Sequence, residues 1–245
     1  MTIILIALQQ IRLLLKNPAV VLLFLAAPLF MIFVFGQAFT GVFVASGAPL
    51  RALDYFGVTL FTMAVVQGTF IASWGVFKEQ KNNTRLRLRL APLSNVAVVF
   101  GLFLGSWLIL LVLSAIVLLL SAVLLSVNYG SSPAALALPL LALTLLASAS
   151  GISAATLLGS ERAAGGLLNT FVPLLVFLGG GYFMIPETGW LHSAARFSPL
   201  RWVNLALLEV PRSGFSQYTL PAVIFCTAAA LLLLLAAGLK AARSV

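Results

Sequence analysis

Six long apolar segments constrain the fold of this chain more than any other feature of its sequence. Each has about 20 or more mainly apolar residues, the length that an α-helix needs to cross the hydrocarbon core of a bilayer. The strands of a membrane β-barrel would be about ten residues long and alternating. The segments therefore predict an all-α integral membrane protein with six transmembrane helices, at about 19–42, 54–77, 96–127, 134–159, 166–184 and 219–240.

The composition agrees with a membrane location. Of the 245 residues, 62% are hydrophobic and only 8% are charged, whereas a soluble domain is about half apolar and a quarter charged. So few polar side chains could not cover the apolar ones, and lipid must do so. Because no polar stretch is long enough to form a soluble domain, we expect residues 1–245 to form one transmembrane domain.

The first 17 residues differ from the spans that follow. Thr2, Gln9, Arg12 and Lys16 share one helical face, and Ile and Leu cover most of the rest. This pattern predicts an N-terminal amphipathic helix (residues 1–17) at the membrane interface, which ends near Pro18. An extension of the first span is the alternative.

The segment at about 185–212, between spans five and six, is too polar to cross a membrane and too apolar for an ordinary loop. It carries Trp190 and Trp202 together with prolines and mixed charges. Since tryptophan favours the membrane interface, the segment predicts short helices there, on the outer side.

The distribution of cations predicts the orientation. With six spans both termini lie on one side, which would hold ten of the 14 cations: Arg12, Lys16, Lys78, Lys81, Arg85, Arg87, Arg89, Arg162, Lys240 and Arg243. The other side would hold Arg51, Arg196, Arg201 and Arg212. The positive-inside rule makes the first side cytoplasmic. The net charge of +9 is then explained by the cations on the cytoplasmic side of the membrane, so no nucleic-acid partner is expected.

Motifs for catalysis are missing from the sequence. It has no G-x-x-x-x-G-K-[ST] phosphate loop, and one histidine and one cysteine could not build a multi-residue metal site. Asp54 is the single aspartate, so a two-aspartate intramembrane enzyme is excluded. We therefore predict no catalytic or metal site, and a transporter or channel subunit rather than an enzyme.

The loop after the second span contains RLRLRL at residues 85–90. Such alternation is typical of a half-buried strand, but a lone strand beside a membrane would leave its backbone unpaired. A short helix that ends before Pro92 is favoured, with leucines that enter a groove on a partner and arginines that meet carboxylates. A plain loop that anchors the topology is the alternative.

Two stretches resemble the permeases of type-2 ABC exporters. Their first cytoplasmic loop runs roughly E-x-x-x-G-T, a short Arg/Leu helix and a proline, and residues 79–94 are similar to it, with Asn83 in place of the glycine. Asparagine also tolerates the left-handed conformation of such a turn. The family's outer segment after span five is similar to Gly179-Gly180, Phe183, Ile185-Pro186, Trp190-Leu191 and Ser198-Pro199-Leu200. The length and the six spans agree too.

The resemblance implies an assembly with other chains. Such permeases pair with a second permease, identical or related, and with two cytoplasmic ABC ATPase subunits that bind ATP and Mg²⁺. No cofactor is then expected on this chain. The loop at 78–95 would contain the coupling helix that meets the ATPase, with Glu79, Thr84, Arg85, Arg87 and Arg89 as coupling residues. Apart from the resemblance, the compact size of the chain fits a bacterial inner membrane, and the cation distribution predicts that both termini are cytoplasmic.

The resemblance also implies that spans two and five line the export path. Span two carries Thr59, Thr62, Thr69 and Ser73 within about 80° of one another at 100° per residue, and Gln67 lies off that stripe. In span five, Asn169 and Pro173 share a face with Val176 and Gly180. The candidate path residues are therefore Thr59, Thr62, Gln67, Thr69, Ser73, Asn169 and Pro173. Hydroxyls that only bond neighbouring helices or their own backbone are the alternative.

Other small residues predict packing. In span four Thr144, Ser148, Gly151, Ala155 and Gly159 recur at helical spacing, which favours a close helix contact. Gly101 and Gly105 in span three form a G-x-x-x-G pattern, a weak signal for a dimer.

The sequence thus predicts the membrane subunit of an ATP-driven exporter for a hydrophobic or amphiphilic compound, drug-like or lipid-like. The absence of acidic residues deep in any span disfavours a proton relay. Export of a lipid-linked glycan by the same architecture is one alternative. A channel or scaffold subunit without an ATPase is another.

Replacement of Glu79, or of Arg85 and Arg89 together, by alanine is expected to uncouple transport from ATP hydrolysis and to leave the spans folded, because these side chains lie in the loop that resembles the coupling helix. Transport and ATPase activity of the reconstituted complex measure this. Normal export by both variants would contradict the coupling assignment.

Overall fold

The computed structural model describes residues 2–81, 94–186 and 188–243, and this part of the chain forms ten helices without any strand. The helices are α1 (Thr2–Leu15), α2 (Pro18–Ala38), α3 (Thr40–Ala45), α4 (Ala52–Lys81), α5 (Asn95–Leu125), α6 (Pro133–Leu158), α7 (Glu161–Leu178), α8 (Trp190–Ala195), α9 (Pro199–Ser213) and α10 (Thr219–Arg243). Six described helices are long and apolar enough to cross a membrane: α2, α4, α5, α6, α7 and α10. The predicted all-α fold with six spans is confirmed.

Two predicted spans have different ends in the structure. The first span, α2, ends at Ala38, and residues 40–45 form the separate helix α3. The fifth, α7, covers 161–178 instead of 166–184. It begins early because the Ser160 hydroxyl caps it by accepting from the backbone N–H of Ala163. It ends early because Gly180 adopts the left-handed conformation, with φ +76°.

The N-terminal helix α1 is separate from the first span, so the alternative of a continuous helix is wrong. Asn17 is non-helical, with φ −108° and ψ 85°, and Pro18 begins α2. On α1, Arg12 and Lys16 are exposed. Its buried face consists of Ile6, Ala7, Gln10 and Leu14.

The buried face of α1 packs against α5 at two glycines. A Cβ atom at Gly105 would lie 2.6 Å from the carbonyl oxygen of Ala7, and one at Gly101 would lie 2.7 Å from Cβ of Ile6. Gln10, with no exposed surface, donates from Nε2 to the Ser106 hydroxyl at 3.1 Å. The G-x-x-x-G pattern therefore contacts α1 of the same protomer, and its interpretation as a dimer signal is wrong.

Helix α4 lies at the centre of the protomer and contacts α2, α5, α6, α7 and α9. A Cβ atom at Gly151 of α6 would overlap the carbonyl oxygen of Thr69, so the two backbones are in close contact. The small-residue face of span four is thus a packing face, as predicted for Thr144, Ser148, Gly151 and Ala155. Gly159 differs, since it ends α6 with φ +65° and has open space around it.

Contacts between helix ends define two sides of the bundle. On one side, Asn95 at the start of α5 donates from Nδ2 to the Ala241 carbonyl at 3.3 Å, and the Lys240 ammonium donates to the Leu157 carbonyl. On the other side, Arg212 at the end of α9 donates to the Pro49 carbonyl at 3.0 Å. Helices α8 and α9 belong to this second side, called the α9 side below.

Replacement of Gly105 by alanine is expected to destabilise the protein, because the new methyl group would overlap the backbone of α1; such overpacking costs about 1–3 kcal/mol. Gly166→Ala is the matched control, since nothing lies within 4 Å of a Cβ at that position on α7. Thermal unfolding of the detergent-solubilised chain, followed by tryptophan fluorescence, measures both. Equal unfolding temperatures would contradict the close contact of α1 and α5.

Candidate transport site

The hydroxyl stripe predicted on span two lies inside the protomer. Thr59, Thr62, Thr69 and Ser73 are all buried, with at most 6% of each residue exposed. Thr69 donates its hydroxyl to the Val66 carbonyl at 2.6 Å. The stripe thus faces the neighbouring helices of its own chain, including α6 at Gly151.

Asn204 of α9 connects the stripe to the end of α7. Its Oδ1 accepts from the Thr62 hydroxyl at 2.5 Å, and its Nδ2 donates to the Gly179 carbonyl at 2.8 Å. Only 1% of Asn204 is exposed. Asn204 was not among the predicted site residues. The sequence feature that could have identified it is an amide side chain on an otherwise apolar helical face, formed by Val203, Ala206, Leu207 and Val210.

Further hydrogen bonds hold the turn that follows α7. The Tyr55 hydroxyl of α4 lies 2.8 Å from the Gly180 carbonyl oxygen and 2.9 Å from that of Phe183. The Ser198 hydroxyl, just before α9, donates to the Leu175 carbonyl at 3.1 Å. Spans two and five are therefore joined through polar groups on the α9 side. An unsatisfied carbonyl there would be costly within a membrane.

The other predicted path residues lie on the protomer surface. Gln67 of α4, and Asn169 and Pro173 of α7, are exposed. Neither carboxamide has a hydrogen-bond partner within the residues that the structure describes. Pro173 has no N–H to donate to the backbone carbonyl four residues earlier, which is that of Asn169. Within the described part of the chain, the carboxamide of Asn169 and its backbone carbonyl thus both lack a helical or side-chain partner on an exposed face.

Gln67 borders a small cavity of about 40 Å³ between α4 and α2. Phe24 and Pro28 of α2 also line this cavity. Because Pro28 lacks an N–H, the Phe24 carbonyl loses its partner within the helix. Gln67 therefore lies beside a second place where a proline removes a backbone hydrogen bond from a span, as Pro173 does in α7.

An ion pair fixes the α9 side of span two. Arg51 donates from Nε to Asp54 Oδ2 at 2.7 Å and from Nη2 to Oδ1 at 2.8 Å. This bonding raises the pKa of Arg51. Asp54 Oδ1 also accepts from the Asn128 backbone N–H at 2.8 Å. The single aspartate thus ties the start of α4 to the loop after α5.

The predicted coupling residues are not part of a described site. Thr84, Arg85, Arg87 and Arg89 lie outside the described residues, as does the Glu79 side chain, although Glu79 belongs to α4. Within the described ranges no three His, Cys, Asp or Glu residues lie together in a way that could hold a metal ion. His192 lies 3.2 Å from Arg196, between Nε2 and Nη2.

Comparison with known protein families matches residues 1–210 to the ABC-2 type transporter family. No curated protein matches the chain. The family match covers most of the 245 residues, from α1 to the last turns of α9, and includes both stretches on which the resemblance in the sequence depended. The chain therefore belongs to the ABC-2 type transporter family and is a multi-pass membrane permease without ATPase activity of its own.

Proposed function

We propose that two such permeases form a path through which a hydrophobic or amphiphilic compound is exported at the expense of ATP. The observation that carries this proposal is the exposure of Gln67 and Asn169 in membrane spans. Both lie in helices that are otherwise rich in apolar residues. Their position therefore needs a physical explanation.

An unpaired carboxamide in hydrocarbon is unfavourable, since a polar group moved there without a partner costs about 2–7 kcal/mol. Each group therefore needs water, cargo or a second protomer beside it. Asn169 adds its own backbone carbonyl, released by Pro173. A second permease on these faces of α4 and α7 would enclose them in a shared path, with apolar side chains between the polar ones. Such a mixed surface suits an amphiphile better than an ion.

The buried hydroxyls would have a different part in this path. Thr59, Thr62, Thr69 and Ser73 are covered within one protomer, so cargo would reach them only after α4 separates from α6 or α9. We propose Gln67, Asn169 and Pro173 as the residues that contact cargo first. Thr62 would then hold α4 to α9 through Asn204 between transport events, and the four hydroxyls would contact cargo only in a rearranged state.

The ATPase would dock on the side opposite α9. In the described ranges that side presents Arg12, Lys16, Arg162 and Lys240 as exposed cations, which supports a cytoplasmic orientation by the positive-inside rule. Helix α4 ends on this side at Lys81, within the predicted coupling loop at 78–95. A push on that loop would act directly on the most buried span, which contacts α2, α5, α6, α7 and α9. This arrangement supports Glu79 and the nearby arginines as coupling residues.

Cysteine labelling tests the path. In a Cys226→Ala background, Gln67→Cys and Asn169→Cys are expected to react with a membrane-impermeant charged maleimide at least about tenfold faster than Leu232→Cys, because a thiol ionises and reacts in water and not in hydrocarbon. Leu232 of α10 is a suitable control because it is 68% exposed on the protomer.

The labelled complexes are then assayed for ATP-dependent efflux of a fluorescent lipophilic dye. Labelling at Gln67→Cys or Asn169→Cys should block efflux, and labelling elsewhere should not. If both path cysteines react as slowly as Leu232→Cys in the assembled transporter, they face lipid, and the proposed path is wrong.

A further inference from the structure

A cleft of about 400 Å³ lies between α7 and α10, within the roughly 300–1,000 Å³ typical of small-molecule sites. Its floor is formed by α4 and α6, and its end on the α9 side by residues 197–200. Phe171 and Phe225 are lining residues that remain half exposed on the protomer. The cleft therefore opens between two spans towards the surrounding lipid.

The side chains that line this cleft favour an apolar ligand, such as a hydrocarbon chain, over a polar one. None of the described residues that line it is charged. Its three hydroxyls already donate to backbone carbonyls: Thr69 to Val66 at 2.6 Å, Ser150 to Leu146 at 2.8 Å and Ser198 to Leu175 at 3.1 Å. No hydroxyl hydrogen is left for a ligand. A polar headgroup would lose its hydration in the cleft without compensation.

The depth of the cleft corresponds to one leaflet of a bilayer. Along α7 it extends from Leu168 to Leu178, ten residues that rise about 15 Å at 1.5 Å per residue. The hydrocarbon core of a bilayer is about 30 Å thick, so one leaflet contributes about half of that. An alkyl chain that enters from the α9 side would thus reach the bilayer centre at the bottom of the cleft.

Two arginines flank the segment that forms this end of the cleft. Arg196 is exposed and Arg201 is half-buried, and neither forms an ion pair with a described carboxylate. Phe197, between them in sequence, lines the cleft and is 82% exposed. Partial burial lowers the pKa of Arg201, so its guanidinium would gain from an anionic partner. The uncharged cleft thus ends at a segment that is bordered in sequence by two arginines.

We propose that the cleft is a resident lipid site that holds one acyl chain of an anionic phospholipid, with the phosphate beside Arg196 and Arg201. The lipid comes from the leaflet on the α9 side. This site lies within a single protomer and differs from the proposed path at Gln67 and Asn169. It does not depend on export or on an ATPase.

Ala229 and Ala228 of α10 provide a matched pair for the test. Ala229 lines the cleft, whereas Ala228 is exposed and does not. The purified full-length chain is placed in nanodiscs that contain equal amounts of dioleoyl phosphatidylglycerol and dioleoyl phosphatidylcholine. Native mass spectrometry then counts the lipids that remain on each protomer. The wild type and Ala228→Phe are expected to retain one phosphatidylglycerol, and Ala229→Phe is expected to lose it.

The double variant Arg196→Gln, Arg201→Gln tests the headgroup. Its preference for phosphatidylglycerol over phosphatidylcholine should fall roughly tenfold, because a charge-assisted contact to phosphate is lost. Equal retention by Ala228→Phe and Ala229→Phe would overturn the site. An unchanged headgroup preference in the double variant would overturn the anionic assignment.

A second measurement needs no variant and so remains decisive if Ala229→Phe does not fold. Phosphatidylglycerol with a diazirine near the middle of one acyl chain is photolysed in wild-type nanodiscs, and the labelled residues are mapped. Labels are expected to concentrate on the cleft walls of α7 and α10, such as Phe171 and Phe225. Equal labelling of exposed positions on α5, such as Val123 at 68% exposure, would contradict a specific site.

Discussion

Lipid hydrocarbon offers no hydrogen-bond partner to a polar group, and the protomer is arranged around that constraint. Helix α4 carries the largest set of hydroxyls among the path candidates and is also the span that neighbours cover most completely. The contact at Gly151 brings α6 against its backbone, and Asn204 reaches it from the α9 side. Helix α4 is thus the span against which α2, α5, α6, α7 and α9 pack.

Some polar side chains have no such partner within the described protomer, and their positions need another explanation. Gln67 and Asn169 remain exposed on spans two and five, where a lone protomer provides them with no cover. Arg196 and Arg201, which border in sequence the segment at the end of the apolar cleft, form no ion pair with a described carboxylate. The first pair supports a path shared with a second permease, and the second pair supports a lipid bound to each protomer. The two surfaces therefore have different proposed partners, a second permease for one and a lipid for the other.

The sequence predicted the features that depend on local pattern. The spans follow from segment length and hydropathy, and the packing face of α6 follows from small residues at helical spacing. Asn204 was missed because its importance depends on Thr62 and Gly179, which are distant in sequence. The predicted end of span five was wrong because hydrophobicity continues past Gly180, where the backbone turns. Gly101 and Gly105 indicated a close helix contact correctly, but the pattern could not show that α1 provides it.

The central claim is that this chain works as a permease paired with a second permease and driven by separate ATPase subunits. Gentle extraction from the native membrane, followed by native mass spectrometry and an ATPase assay, tests it directly. The account predicts two permease chains with two ATPase chains and vanadate-sensitive hydrolysis of ATP. An intact assembly of permeases alone, without hydrolysis, would contradict it and favour a channel or scaffold.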